Sequence, residues 1–194
     1  MSFTTFLLAA TVLAITPGPG LAYVVARTVA GGRAEGLASC CGTALGGLLH
    51  VVAAALGLSL LIAQSAMAFN LLKYLGAAYL VYLGIRMLVR GQGVDAVTPA
   101  AALGSRRALL EGLVVEALNV KTALFFLAFL PQFVAPGPTM AVQLALLGCI
   151  CVALNTLVDV AAVRGAAQWA RPGAARLARA RLLQRVSGGT IIGL

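Results

Sequence analysis

Charge is scarce in this chain. Only 10% of its 194 residues are Asp, Glu, Lys or Arg, and only five of them are acidic, whereas a soluble domain carries roughly 25% charged residues. With 61% apolar residues beside that shortage, water is excluded as the main solvent. No Lys or Arg precedes Arg27, so the charged n-region of a secretory signal peptide is missing and the first apolar segment is read as retained. The four cysteines, Cys40, Cys41, Cys149 and Cys151, lie in apolar runs without CxxC or Cys/His spacing. No metal site is expected of them, and they read as small packing residues. There is one histidine, no nucleophile–base spacing and no long catalytic loop, which argues against a membrane-embedded enzyme and against a bound cofactor.

What the chain does hold is a series of apolar runs. Crossing a hydrocarbon core of about 30 Å takes about 20 mostly apolar residues. Spans are expected near 3–29, 36–64, 68–90, 108–134 and 139–165, with a shorter sixth near 183–194. The expected fold is therefore an all-α integral membrane protein of about six transmembrane helices in a single domain, 1–194. The last helix reads as truncated, because the apolar stretch 186–194 rises only about 13 Å as a helix.

The net charge of +9 would suggest nucleic acid in a soluble protein; here its placement matters more. Arg27 and Arg33 follow span 1, Arg86, Arg90, Arg106 and Arg107 flank the link between spans 3 and 4, and six arginines from Arg164 to Arg185 follow span 5. Lys73 and Lys121 are the exceptions. The positive-inside rule makes the arginine side cytoplasmic and puts the N-terminus outside. The stretch 171–185 reads as a topology signal in contact with anionic lipid, in preference to a nucleic-acid site.

The polar link 91–107 divides the chain into a first half, 1–90, and a second half, 108–194. Each half holds three spans, and because three is odd the second must lie upside down relative to the first, the topology of an inverted 3+3 repeat.

Two features could carry chemistry. Pro17-Gly18-Pro19 falls near the midpoint of span 1, where each helix-interior proline removes a hydrogen bond at a cost of about 3 kcal/mol. A helix opened there exposes carbonyls and amides suited to a zwitterion or a cation; the alternative is a structural kink. The second feature is the set of ionisable residues inside spans, each costing about 2.5–3.5 kcal/mol at the bilayer centre. Glu116 and Asn119, three apart, share one face of span 4, and Asn155 and Asp159, four apart, share one face of span 5. Glu116 is expected about 7 Å and Asp159 about 10 Å to the cytoplasmic side of the midplane, at depths where they could share a proton or pair with Lys121. The competing reading of Asp159 is an interfacial residue reaching toward Arg164. His50, mid-span, is either a proton relay or a helix–helix hydrogen bond. Gly42, Gly46 and Gly47 read as a packing face that lets helices approach closely and permits a homodimer.

Four blocks together resemble the lysine exporter and homoserine/threonine resistance (LysE/RhtB) family of bacterial amino-acid exporters. They are Thr16-Pro17-Gly18-Pro19; the turn from Gly32-Arg33 to Gly36; Lys73-Tyr74-Leu75-Gly76-Ala77-Ala78-Tyr79-Leu80 with Gly84; and Gly112 through Asn119-Val120-Lys121-Thr122-Ala123 to Phe129-Leu130-Pro131-Gln132-Phe133. The resemblance implies a six-helix carrier of the bacterial inner membrane that exports amino acids or their derivatives, with protons as the exchanged ion. Thr16, Pro17, Gly18, Pro19, Asn119 and Lys121 are then candidates for substrate binding, Glu116, Asp159 and His50 for proton coupling, and Asn155, Gly76 and Tyr79 for support. The family reads Asn-Pro-Lys where this chain has Val120, so the first helix is expected to carry most of the backbone opening alone. A channel or cation exporter on a similar fold, and a subunit role, remain as alternatives; the sequence does not name the substrate.

Overall fold

The computed structural model describes residues 2–58, 65, 67, 70, 71, 74, 75, 78, 81, 82, 102–135 and 137–169. Most of expected span 3, with Lys73, Gly76 and Tyr79, and the whole of 183–194 lie outside the described residues. No strand occurs among the described ones.

The first apolar run is two helices, not one. Helix α1 (Phe3–Ile15) starts on Ser2, whose hydroxyl accepts from Thr5 N–H, and stops at Thr16 in an extended conformation. Helix α2 (Pro19–Ala53) restarts after an extended Gly18 with proline at its first position. Proline is preferred there because its missing N–H would have had no partner in the first turn. Straight, the 35 residues of α2 would run about 52 Å, too far for one bilayer. Gly32, at φ 77° and ψ −168°, divides it. The two arms fold back on each other: Val24 packs beside Cys40, and Cβ atoms built on Gly36 and Gly20 would meet Thr28 and Thr43 respectively. The turn expected from Gly32 to Gly36 therefore separates two antiparallel arms. The second arm ends in a π-helical turn, Ala54–Leu58.

The next described run is built the same way. Helix α3 (Ser105–Ala117) breaks at Leu118 and Asn119 before α4 (Val120–Leu124), which continues as a π-turn (Phe125–Phe129) and a 3-10 turn (Leu130–Phe133). The two pieces are bent by 44°. Finally α5 (Met140–Trp169) runs unbroken for 30 residues. By length and composition, α2 with its π-helical end and α5 each pass as apolar enough to cross a membrane, and the bent α3–α4 run makes a third such stretch among the described residues. Phe3 and Ser105 stand 102 residues apart, and so do Ile15 and Ala117, so α1 and α3 are equal in length and each is followed by a break.

The runs also face in opposite directions. Phe6 stacks edge-on against Phe133 with ring centroids 5.5 Å apart, while farther along α2 the hydroxyl of Tyr23 lies 3.2 Å from the Ala108 carbonyl. The first run is thus antiparallel to α3–α4. The second arm of α2 is in turn antiparallel to α5, since Val51 meets Gly148 and Gly47 meets Val152.

Glycines set the closest crossing. A Cβ on Gly46 would come 2.7 Å from the Leu113 carbonyl oxygen and 3.0 Å from Ala117 N, and one on Gly112 would come 2.8 Å from the Ser39 carbonyl oxygen. Helices α2 and α3 therefore touch backbone to backbone, and the glycine face that the sequence suggested for packing is filled from within the chain. Gly46→Val is expected to destabilise the protein by about 1–3 kcal/mol, as overpacking does, and Gly165→Ala, where no described atom outside its own helix lies within 4 Å of the added Cβ, to leave stability unchanged or raise it by up to about 1 kcal/mol. Thermal melting in detergent micelles and yield in the membrane fraction check the pair.

Candidate functional site

The two breaks meet. Lys121, in the first turn of α4, reaches across to the end of α1, where its Nζ donates to the carbonyls of Thr16 at 2.8 Å and Leu13 at 3.1 Å. These are carbonyls that α1 cannot satisfy, because the helix that would have supplied their N–H partners stops at Thr16. Gly18 leaves room for the amine: a Cβ there would stand 3.1 Å from Nζ.

Asn119 makes the second break without a proline. At φ −73° and ψ 101° it is extended, and its side-chain oxygen accepts from Lys121 N–H, the geometry of an N-cap, a position that asparagine favours. Its amide nitrogen donates back to Glu116 Oε2 at 2.9 Å. The expectation that Val120 leaves the opening to the first helix is corrected: an N-cap followed by a helix start breaks the backbone as a proline does.

Each buried acid is held separately. Glu116 takes Asn119 on one oxygen and the Thr122 hydroxyl, at 2.7 Å, on the other. Asp159, on α5, accepts from the Thr43 hydroxyl at 2.9 Å. Glu116, Asn119, Thr122 and Asp159 are all buried. Asp159 is thus an interior residue bonded to α2, not one reaching toward Arg164, which is exposed. Neither acid forms an ion pair with Lys121 within 4 Å; among the described residues such pairs are Arg27–Glu35 and Arg107–Glu111. Gly20 lets α2 pass Glu116, since a Cβ there would come 2.5 Å from Oε2.

Between these groups lies a cavity of about 30 Å³, lined among others by Thr16, Gly18, Glu116, Asn119, Lys121 and Asp159, with Asn155 at its wall. Pro17 and Pro19 shape the break but are exposed and do not line it. His50 stands outside. Its Nε2 lies 2.9 Å from the Glu116 carbonyl, and because a carbonyl only accepts, Nε2 carries the proton and caps the end of α3.

A second polar cluster lies nearer the arginine-rich ends. Buried Arg27 and Glu35 approach to 3.7 Å, Gly104 N–H donates to Glu35 Oε1 at 2.7 Å, and the Tyr23 hydroxyl lies 3.1 Å from Glu111 Oε2. These contacts tie both arms of α2 to the start of α3.

The family model described as LysE type translocator matches residues 11–194. The chain belongs to this family. It is accordingly a transporter, not an enzyme, and a multi-pass membrane protein. An uncharacterized membrane protein of Vibrio cholerae is 32% identical over 86% of this chain and 81% of its own length. The homoserine/homoserine lactone efflux protein of Salmonella typhimurium is 31% identical over 79% of this chain and 74% of its own length, and the leucine efflux protein of Salmonella choleraesuis 30% identical over 69% and 64%. No solved structure matches.

Sequence reasoning missed Thr43, Thr122 and Glu35. The hydroxyls lie in apolar runs where one threonine carries no compositional signal, although Thr122 follows directly on Asn119-Val120-Lys121. Glu35 was legible in principle as the sole acid of an arginine-bearing turn. The cap geometry also makes a prediction. Val120 is the first residue of α4 and follows an extended Asn119, the conformation that favours a following proline. Val120→Pro is expected to retain transport and to raise stability by about 0.4–1 kcal/mol, read as a higher melting temperature.

Proposed function

We propose that the chain is a secondary-active exporter of amino acids or amino-acid derivatives, working by alternating access in the bacterial cytoplasmic (inner) membrane. In this reading 1–194 form one transporter domain with the N-terminus outside, the link 91–107 in the cytoplasm, and six helices in an inverted 3+3 repeat. The 102-residue spacing of the two broken runs and their opposed directions support the repeat. Relatives whose names are those of homoserine/homoserine lactone and leucine efflux proteins support the substrate class.

The observation that carries the reading is the meeting of two helix breaks at a cavity that offers both signs of charge. Carbonyls at the end of α1 suit an ammonium group, because the negative end of the helix dipole lies there. The start of α4, the positive end of its helix dipole, suits a carboxylate. Glu116 and Asp159, buried on separate helices, are the groups proposed to exchange the coupling proton, since an acid in a low-dielectric interior binds and releases protons as its surroundings change. The Arg27–Glu35–Gly104 and Tyr23–Glu111 contacts act as the closure on the proposed cytoplasmic side. Opening there requires them to part.

Purified protein in proteoliposomes tests the reading. Homoserine or leucine should be taken up saturably and show counterflow, which a channel would not. Asp159→Asn should insert normally and keep counterflow, while export driven by a pH gradient falls about tenfold or more, the scale of a typical coupling free energy. Gradient-driven export at the wild-type rate would remove Asp159 from the coupling role.

A further inference from the structure

We propose that the Lys121 amine is a built-in occupant of the substrate's ammonium subsite, displaced when an amino acid binds and restored when it leaves. The inference rests on the exporter reading and extends it to the empty carrier.

Lys121 has two carboxylates in its own cavity and binds neither within 4 Å; its Nζ goes instead to the Thr16 and Leu13 carbonyls. The acids do not need it, since Glu116 is taken by Asn119 and Thr122 and Asp159 by Thr43. The place it fills is shaped for an ammonium group: two carbonyl oxygens at the dipole-negative end of a helix, with a glycine where a side chain would block the approach. Every amino acid except proline carries the same primary ammonium, directly on its α-carbon.

The space remaining points the same way. The cavity of about 30 Å³ has room for one or two waters, and the side chain of Lys121 stands in its wall. Moving that side chain frees both the carbonyls and the volume it fills. The arrangement also answers a problem of the return step. A carrier that reorients empty would leave the α1 carbonyls without a protein partner inside the span, which is costly. With Lys121 seated on them that cost is absent. The substrate must then bring a free primary ammonium to compete, so N-acylated amino acids are excluded.

The wild-type protein tests this directly, because Lys73 and Lys121 are its two lysines. Labelling with acetic anhydride, read by mass spectrometry as the ratio of Lys121 to Lys73 modification so that consumption of the reagent by the added amine cancels, should rise about tenfold when homoserine, leucine or methylammonium is saturating, as expected for a group released from a mostly occupied state. N-acetylleucine should leave the ratio unchanged. A Lys121 to Lys73 labelling ratio that is unaltered or lowered by all three amines overturns the proposal, whether or not any variant folds. In Lys121→Met the subsite has lost its internal competitor, so the KM for counterflow should fall, by about tenfold on the same argument. Net export should slow, because the empty carrier returns poorly, and methylammonium should restore it. A raised KM with loss of counterflow would make Lys121 an ordinary substrate ligand and end the proposal. If wild-type protein carries neither amino acid but methylammonium still exposes Lys121, the exporter reading falls while the occupied cage stands.

Discussion

A helix that stops inside an apolar span leaves carbonyls and amides that water would satisfy elsewhere, and in a membrane the protein itself must supply their partners. The architecture of this chain follows from that constraint being met twice in one place. The end of α1 is completed by Lys121 from α4, the end of α3 by His50 from α2, and the start of α4 by Asn119. Each break is closed by a residue near the other break or on the helix beside it, so the broken segments hold one another in register. The glycines of α2 and α3 serve the same end by bringing the backbones close enough for such short reaches.

The acids are stabilised by a different route. Hydroxyls and an amide, not cations, solvate Glu116 and Asp159. Neutral donors of this kind satisfy a carboxylate without locking it into an ion pair, where removing one partner is costly. An acid so held can change protonation without breaking a buried salt bridge, whereas the true buried pair, Arg27 with Glu35, sits apart from the cavity at the turn and serves to hold α2 to the start of α3.

Much of this was legible in the residues, and the reasons differ from place to place. Pro17-Gly18-Pro19 announces a break because proline acts through covalent geometry, whatever surrounds it. The Gly32 turn could be placed because an arginine-flanked glycine pair interrupts an otherwise continuous apolar run. Glu116 with Asn119, and Asn155 with Asp159, could be put on common faces by helical spacing alone. The break at Asn119 was harder, since asparagine caps a helix only if the chain on either side agrees, and the absence of proline pointed the other way. The role of Lys121 was not readable at all. Its partners are carbonyls more than one hundred residues away, and every residue has a carbonyl.

The 102-residue spacing has a last implication. Carried back by that interval, Glu116, Lys121 and Asp159 fall on Ala14, Pro19 and Gly57. At these positions the first half offers main chain where the second offers ionisable side chains. Two identical halves facing opposite ways would have no preferred direction, for turning the molecule over would reproduce it. In the proposed inverted repeat, a proline in one half where the other has a lysine gives the molecule a front and a back.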